Sequence, residues 1–265
     1  MALTHGLILE RLVFPINSTY FCRKLSELKI QFKDLILFEN DNYLIINKPA
    51  GISSLDERGD STVKGIIRLA KEYSEDAQLG HRLDKETSGC LVIAKNPEAY
   101  RHISMQFEHR EVNKKYHAVV EGQQEWDGIL VNFPILPLKD GKVIIDRHNG
   151  KHAETWFQSL RVYRNCSLVE CMPITGRMHQ IRIHLTCLKA PILMDSTYGG
   201  PEIYLSDLKR NFSLGKGKEE NPLIKRVALH AYSIQFKDLN NEIIEIQAPY
   251  PKDFEVLIKL LEKYS

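Results

Sequence analysis

No stretch of the 265 residues approaches the ~18 consecutive apolar residues that a membrane-spanning helix requires. Excess charge of one sign is also missing. Thirty-six Lys+Arg against 34 Asp+Glu leave +2, which excludes a histone-like polycation and an acidic solvating chain but permits a local basic face. Cysteine is sparse. The five (Cys22, Cys90, Cys166, Cys171, Cys187) are odd in number and widely spaced, and a chain this long has no need of staples, so they read as reduced thiols. The glycine patterns that cradle nucleotides, G-x-x-x-x-G-K-[ST] and G-x-G-x-x-G after a strand, do not occur, nor does the G-x-S-x-G elbow of serine hydrolases. The opening segment MALTHGLILERLVF carries Arg11 within its apolar stretch and no small-residue cleavage site, and reads neither as signal nor as transit peptide. A cytoplasmic location is therefore expected.

What is present is the composition of an ordinary globular protein, 43% hydrophobic and 26% charged. Residues 1–34, broken by Pro15, Asn17 and Ser18, read as an extension packed on a main body spanning 35–265. Strand-like runs are expected at 34–38, 43–46, 91–94, 116–121, 143–146, 153–163, 167–173, 226–236 and 243–248. Helical stripes are expected at 62–73, from Pro97 to about Arg110, at 178–188 and at 254–264. Many strands with a few interspersed helices, and no regular βαβ alternation, predict an α+β fold. The loop 208–225 holds five basic residues, two glycines and a proline, and is expected to be mobile.

Three segments concentrate reactive side chains. Gly80-His81-Arg82-Leu83-Asp84-Lys85-Glu86-Thr87-Ser88-Gly89 is a polar run just before an apolar strand, and such loops display catalytic groups as readily as they form solvated turns. Thr175 to His184 packs Arg177, His179, Arg182 and His184 beside an apolar stripe, an arrangement suited to an anion at a helix N-terminus. The spacing of His179, His184 and Cys187 does not make a zinc site, because histidines five apart point to different sides of a helix. Arg110 to His117 leads basic residues into a strand with Tyr116 near its start.

Taken together these segments resemble the RluA-type pseudouridine synthases, which isomerise uridine in ribosomal or transfer RNA. ILFENDNYLIINKPAGI (36–52) resembles the family's opening strand pair and Lys-Pro turn, and HRLDKETSGCLVIAK (81–95) its most specific signature. KYHAVVEG (115–122) resembles the tyrosine-bearing strand; 174–199 and RVALHA (226–231) resemble the remaining segments, so about residues 33–250 are covered. The resemblance implies a mixed, largely antiparallel central sheet with flanking helices and loops. It implies Asp84 as catalytic aspartate, Tyr116 as active-site tyrosine, Arg182 as the arginine paired with that aspartate, and Arg82 as the side chain that fills the gap left by a flipped nucleotide. His81, Lys48, Arg177, Lys114 and Lys115 are expected to contact RNA, with Lys209, Arg210, Lys216 and Lys218 of the basic loop. No metal or other cofactor is implied, and a monomer is expected. Met178, Cys90 and Met194 stand where Thr, Leu and Gly are usual; the last two read as packing choices.

The implied reaction breaks the bond from ribose to uracil N1 and rejoins the ribose to ring carbon 5. An ionised carboxylate can attack the sugar or remove a neighbouring proton to give a glycal, and the sequence leaves both routes open. An arginine at contact distance keeps the carboxylate charged, and a tyrosine can stack on the base and help remove the carbon-5 proton. Two rivals share these features in part: an RNA-binding or assembly protein that lost catalysis, and a hydrolase releasing free uracil.

Overall fold

The computed structural model describes residues 31–56, 64–215, 217 and 219–264. Most of the expected N-terminal extension, together with Lys216 and Lys218, lies outside the described residues. A 3₁₀ turn at Phe32–Leu35 leads into β1 (Ile36–Glu39), β2 (Tyr43–Lys48), α1 (Ile66–Tyr73), β3 (Gln78–Leu79) and β4 (Ser88–Ala94). Next come α2 (Pro97–His109), β5 (Asn113–Glu121), β6 (Ile129–Asn132), β7 (Ile135–Pro137), β8 (Val143–Ile145), β9 (Glu154–Val162) and β10 (Cys166–Pro173). The chain then forms α3 (Gln180–Cys187), the single turn α4 (Leu205–Leu208), β11 (Leu229–Lys237), β12 (Ile243–Gln247) and α5 (Lys252–Tyr264).

Ten of these strands make one sheet in the order β1-β2-β4-β11-β5-β10-β9-β6, with β12 on β11 and β3 on β4; β7 and β8 form a separate hairpin. Every pairing in the large sheet is antiparallel except β4 with β11. The α+β reading, with a mixed and largely antiparallel sheet, is what the chain forms.

Local chemistry explains the elements that flank the site. All seven residues of β4 are buried, which suits its unbroken Cys90-Leu91-Val92-Ile93-Ala94 run. Asn96 caps α2 by accepting from the Ala99 N–H at 2.9 Å, Pro97 fills its first turn, and Arg110 ends it in a left-handed conformation at φ 64°. Ala99 and Ile103 of α2 then pack on Tyr43 and Val92 of the sheet. On β5, Val119 joins Phe157, Val169 and the α5 residues Phe254 and Leu257 in the larger core. The strand expected from Arg226 begins only at Leu229. The Arg226 guanidinium is turned inward, donating to both Asp253 carboxylate oxygens and to the Leu229 carbonyl, which bends the chain ahead of β11. Among the described residues no helix is long and apolar enough to cross a membrane.

Candidate active site

An open cleft of about 1020 Å³ lies where the β3–β4 loop, the start of β5 and the start of α3 meet. Asp84 sits on the loop, and the backbone on either side of it is tied down. Ser54 Oγ donates to the Leu83 carbonyl at 2.7 Å and accepts from the Leu83 N–H at 3.0 Å. After Asp84, the Lys85 carbonyl accepts from Gly51 N–H at 2.8 Å and from Lys48 Nζ at 3.2 Å. The loop feeds β4 through Gly89, where φ is 114° and an added Cβ would stand 2.2 Å from the Ala231 carbonyl oxygen. Only glycine allows β4 and β11 to approach so closely there.

Lys48 therefore does not do what the sequence suggested. Its side chain is fully buried, and its ammonium donates to the carbonyls of Pro49, Ile52 and Lys85. Burial draws its pKa down to about 7. It clamps the Lys-Pro turn to the Asp84 loop from inside and has no surface to offer RNA.

Arg182, in the first turn of α3, is also buried. Its Nε and Nη2 donate to Asp195 at 2.6 and 2.7 Å, a bidentate pair, while Nη1 stands 3.8 Å from Asp84 Oδ2. The expected partner is thus second in line: Asp195, itself buried, holds the guanidinium and presents its free edge to Asp84. The Tyr198 ring stacks beneath at 5.0 Å. His179 Nε2 lies 3.9 Å from the same Asp84 oxygen, and its Nδ1 meets the Tyr198 hydroxyl at 2.8 Å. Sequence reasoning missed Asp195 and Tyr198, and it noted His179 only within the 175–184 segment without a place beside Asp84. The loop that follows α3 turns tightly to bring Asp195 and Tyr198 there. Met194 adopts φ 66°, and a Cβ on Gly200 would lie 1.8 Å from the Ile192 carbonyl oxygen. Met194 is accordingly a backbone substitution and not the packing choice it had seemed. It occupies a left-handed position that glycine takes at no steric cost.

Tyr116 lines the cleft from β5, opposite Cys171 on β10 and Ala231 on β11. Burial raises its phenol well above the ordinary value, and the Asp84 charge adds to the effect. The hydroxyl is therefore a protonated donor at neutral pH. Strand alternation sets its neighbours. Lys114 shares the cleft face, its ammonium 5.7 Å from the Phe107 ring centre, and burial lowers its pKa to about 8. Lys115 does not share that face. It faces the other side of the sheet and pairs with Glu170 at 3.5 Å, so the expectation that it joins Lys114 is corrected.

Other expected RNA contacts divide by position. Arg82 and Arg177 are exposed on the cleft wall, and Arg82 meets no carboxylate among the described residues; Arg177 Nε donates to the His152 carbonyl. Arg110, one of the basic residues of the segment leading into β5, lies on the same wall. His81 lines the cleft as a neutral ring. Its Nε2 accepts from Val92 N–H at 3.2 Å and burial brings its pKa to about 3, so it supplies no positive charge to a phosphate. Lys209 and Arg210 are elsewhere, at a shallow depression with Arg164 and Tyr264. His184 is enclosed, with Nδ1 on Thr155 Oγ1 and Nε2 on the Phe133 carbonyl.

A carboxylate flanked by a buried arginine, sharing an open cleft with a protonated tyrosine and cationic walls, is an arrangement suited to chemistry on an anionic polymer. Residues 42–186 match the family described as RNA pseudouridylate synthase. The chain is 34% identical to the ribosomal large subunit pseudouridine synthase C of Vibrio parahaemolyticus, over 88% of this chain and 71% of that protein. It is also 34% identical to an uncharacterized RNA pseudouridine synthase of Zymomonas mobilis, over 83% of this chain and 94% of that protein. Among solved structures, human RNA pseudouridylate synthase domain containing 4 aligns with a TM-score of 0.65 and 26% identity, covering 92% of this chain and 97% of that one. The chain belongs to the RNA pseudouridylate synthase family, isomerases that convert uridine to pseudouridine.

Proposed function

We propose that this protein isomerises uridine within large-subunit ribosomal RNA, with Asp84 acting on the ribose, Arg182 holding Asp84 and Tyr116 attending the base. The observation that carries the reading is the convergence of these three side chains, from a loop, a helix and a strand, on one cleft. The ribosomal substrate rests on the names of relatives such as the Vibrio parahaemolyticus protein.

The uridine must leave its stack before Asp84 can reach it, at a cost of a few kcal/mol. Arg82, exposed on the cleft wall with no carboxylate partner among the described residues, is suited to occupy the vacancy. Lys114, Arg110 and Arg177 lie on the same walls and can meet the phosphates on either side, where sequence-independent affinity originates. Lys209 and Arg210 supply a second, remote contact. Asp84 then serves as nucleophile at the sugar carbon or as base toward its neighbour; both need an ionised carboxylate, and Arg182 favours that form. After the base has turned and the new carbon–carbon bond has formed, the carbon-5 proton must leave. The Tyr116 phenol is itself protonated, so it can take that proton only while passing its own to bulk water in the open cleft. Its role is that of a relay. The protein works as a cytoplasmic monomer, and residues 35–265 make up its catalytic domain.

The test is to map pseudouridine in cellular RNA with and without the gene, then to incubate purified protein with the unmodified large-subunit RNA. Loss of specific pseudouridines in the deletion, restored in vitro, is expected. Unchanged maps would overturn the substrate, and release of free uracil would overturn the reaction.

A further inference from the structure

The closest basic groups to Asp84 both fall on the same oxygen. Arg182 Nη1 is 3.8 Å and His179 Nε2 3.9 Å from Oδ2, and no hydrogen bond from the described residues ends on this carboxylate. Both distances exceed a hydrogen bond and are contacts between charges or dipoles. Arg182 is moreover largely committed, since the two bonds to Asp195 take its Nε and Nη2. One further donor is therefore of consequence to Asp84.

The neighbours of His179 decide which of its nitrogens carries the proton. The Tyr198 hydroxyl oxygen accepts from the Val143 N–H at 2.9 Å and meets His179 Nδ1 at 2.8 Å. If the phenol donates to Nδ1, every group is satisfied and Nε2–H points toward Asp84. In the opposite tautomer the phenol oxygen takes two donors, its own proton has no described acceptor, and the Nε2 lone pair faces a carboxylate lone pair. The first arrangement is the favourable one. Burial also lowers the His179 pKa, against the pull of Asp84, so the ring is neutral and a single N–H is what it presents. The backbone contributes as well: His179 holds φ 52°, a left-handed conformation unusual for a side chain of this size, immediately before α3.

We propose that His179, held in one tautomer by Tyr198, is a positioning residue for Asp84: its Nε2–H and Arg182 together fix the Oδ2 edge of the carboxylate and leave the other oxygen free for the ribose. The proposal rests on the reading that Asp84 acts on the sugar. The Tyr198 hydroxyl then acts on Asp84 only through the imidazole; it also anchors the Val143 N–H, and its ring supports Arg182.

Single-turnover pseudouridine formation at saturating RNA, measured alongside RNA affinity, tests this. His179→Asn keeps a polar group near Tyr198 but cannot reach Asp84, and asparagine tolerates the left-handed backbone. Its rate should fall about 10²-fold, the loss that a misplacement of about 1 Å brings, with affinity unchanged. His179→Gln can return an N–H to the Nε2 position and should recover most of that loss. Tyr198→Phe keeps the ring over Arg182 and should slow the wild-type background, yet add nothing to His179→Gln, because glutamine has no tautomer to set. A wild-type rate for His179→Asn would overturn the proposal, as would an equal loss from Tyr198→Phe in both backgrounds. If His179→Asn does not fold, the Tyr198 cycle alone decides. Wild-type protein that forms no pseudouridine would instead refute the functional reading itself.

Discussion

Arg182 is gripped by Asp195 through two bonds of 2.6 and 2.7 Å and reaches Asp84 only with its remaining nitrogen, 3.8 Å away. The cation beside Asp84 is thus fixed by a second, buried carboxylate behind it. Removing either member of the tight pair strands the other, and Asp195 is only 1% exposed. Asp195→Ala and Arg182→Ala should each cost about 3–5 kcal/mol of stability, read from urea denaturation. Asp195→Ala should in addition slow turnover although Asp195 does not face the cleft. A variant of ordinary stability and full rate would show that the pair is idle.

Tyr116→Phe keeps the ring but deletes the hydroxyl. If the phenol relays the carbon-5 proton, single-turnover rate should collapse with RNA affinity within about twofold of wild type, because stacking is retained. Full activity would remove the hydroxyl from the mechanism.

Acid should unfold the protein early. Burial lowers His230 to about 4 and His117 to about 3, from an ordinary value near 6.5. Both are held neutral by the folded state: His230 bridges Ser88 and the Ala248 carbonyl, and His117 meets the Tyr250 hydroxyl at 2.5 Å. Groups whose folded pKa is depressed lend stability above pH 6.5 and lose it as pH falls toward 4, since the unfolded chain takes up the protons first. The urea midpoint should therefore drop across that interval. A flat midpoint between pH 6.5 and 4 would contradict the buried, neutral assignment.

Salt dependence separates the two basic regions. Neutralising Arg82 and Arg177 on the cleft wall should flatten the dependence of RNA affinity on salt, by up to about 0.7–0.9 log units for each phosphate left without its cation. Neutralising Lys209 and Arg210 should also flatten it, while leaving the rate at saturating RNA near wild type because they lie outside the cleft. An unchanged slope in the second variant would show that the remote depression does not touch RNA.

The parts of the fold that were legible in the sequence are those with local causes. The apolar run ending at Ala94 reads as a buried strand, and Asn96-Pro97 reads as a helix start. Strands β3, β6 and β7 escaped because two to four residues carry no period. Asp84, Tyr116 and Arg182, which line one cleft, could be singled out because each falls in a contiguous pattern. Lys48 was misread because a lysine before a proline looks solvated; its burial is set by three carbonyls, one of them 37 residues away. Lys115 was misread because net charge was counted along the chain when strand alternation sends neighbours to opposite faces. Asp195 and Tyr198 were missed because their relation to Arg182 and His179 exists only once the loop after α3 folds back.

The most direct test of the account is single-turnover pseudouridine formation by Asp84→Asn against wild type, on one unmodified large-subunit RNA. The substitution preserves size and polarity at a side chain one-third exposed, so folding and RNA affinity should hold while the charge and the reactive oxygen are removed. No detectable pseudouridine from a well-folded, RNA-binding Asp84→Asn protein is expected. Formation at a rate close to wild type would contradict the assignment of Asp84 to the chemistry.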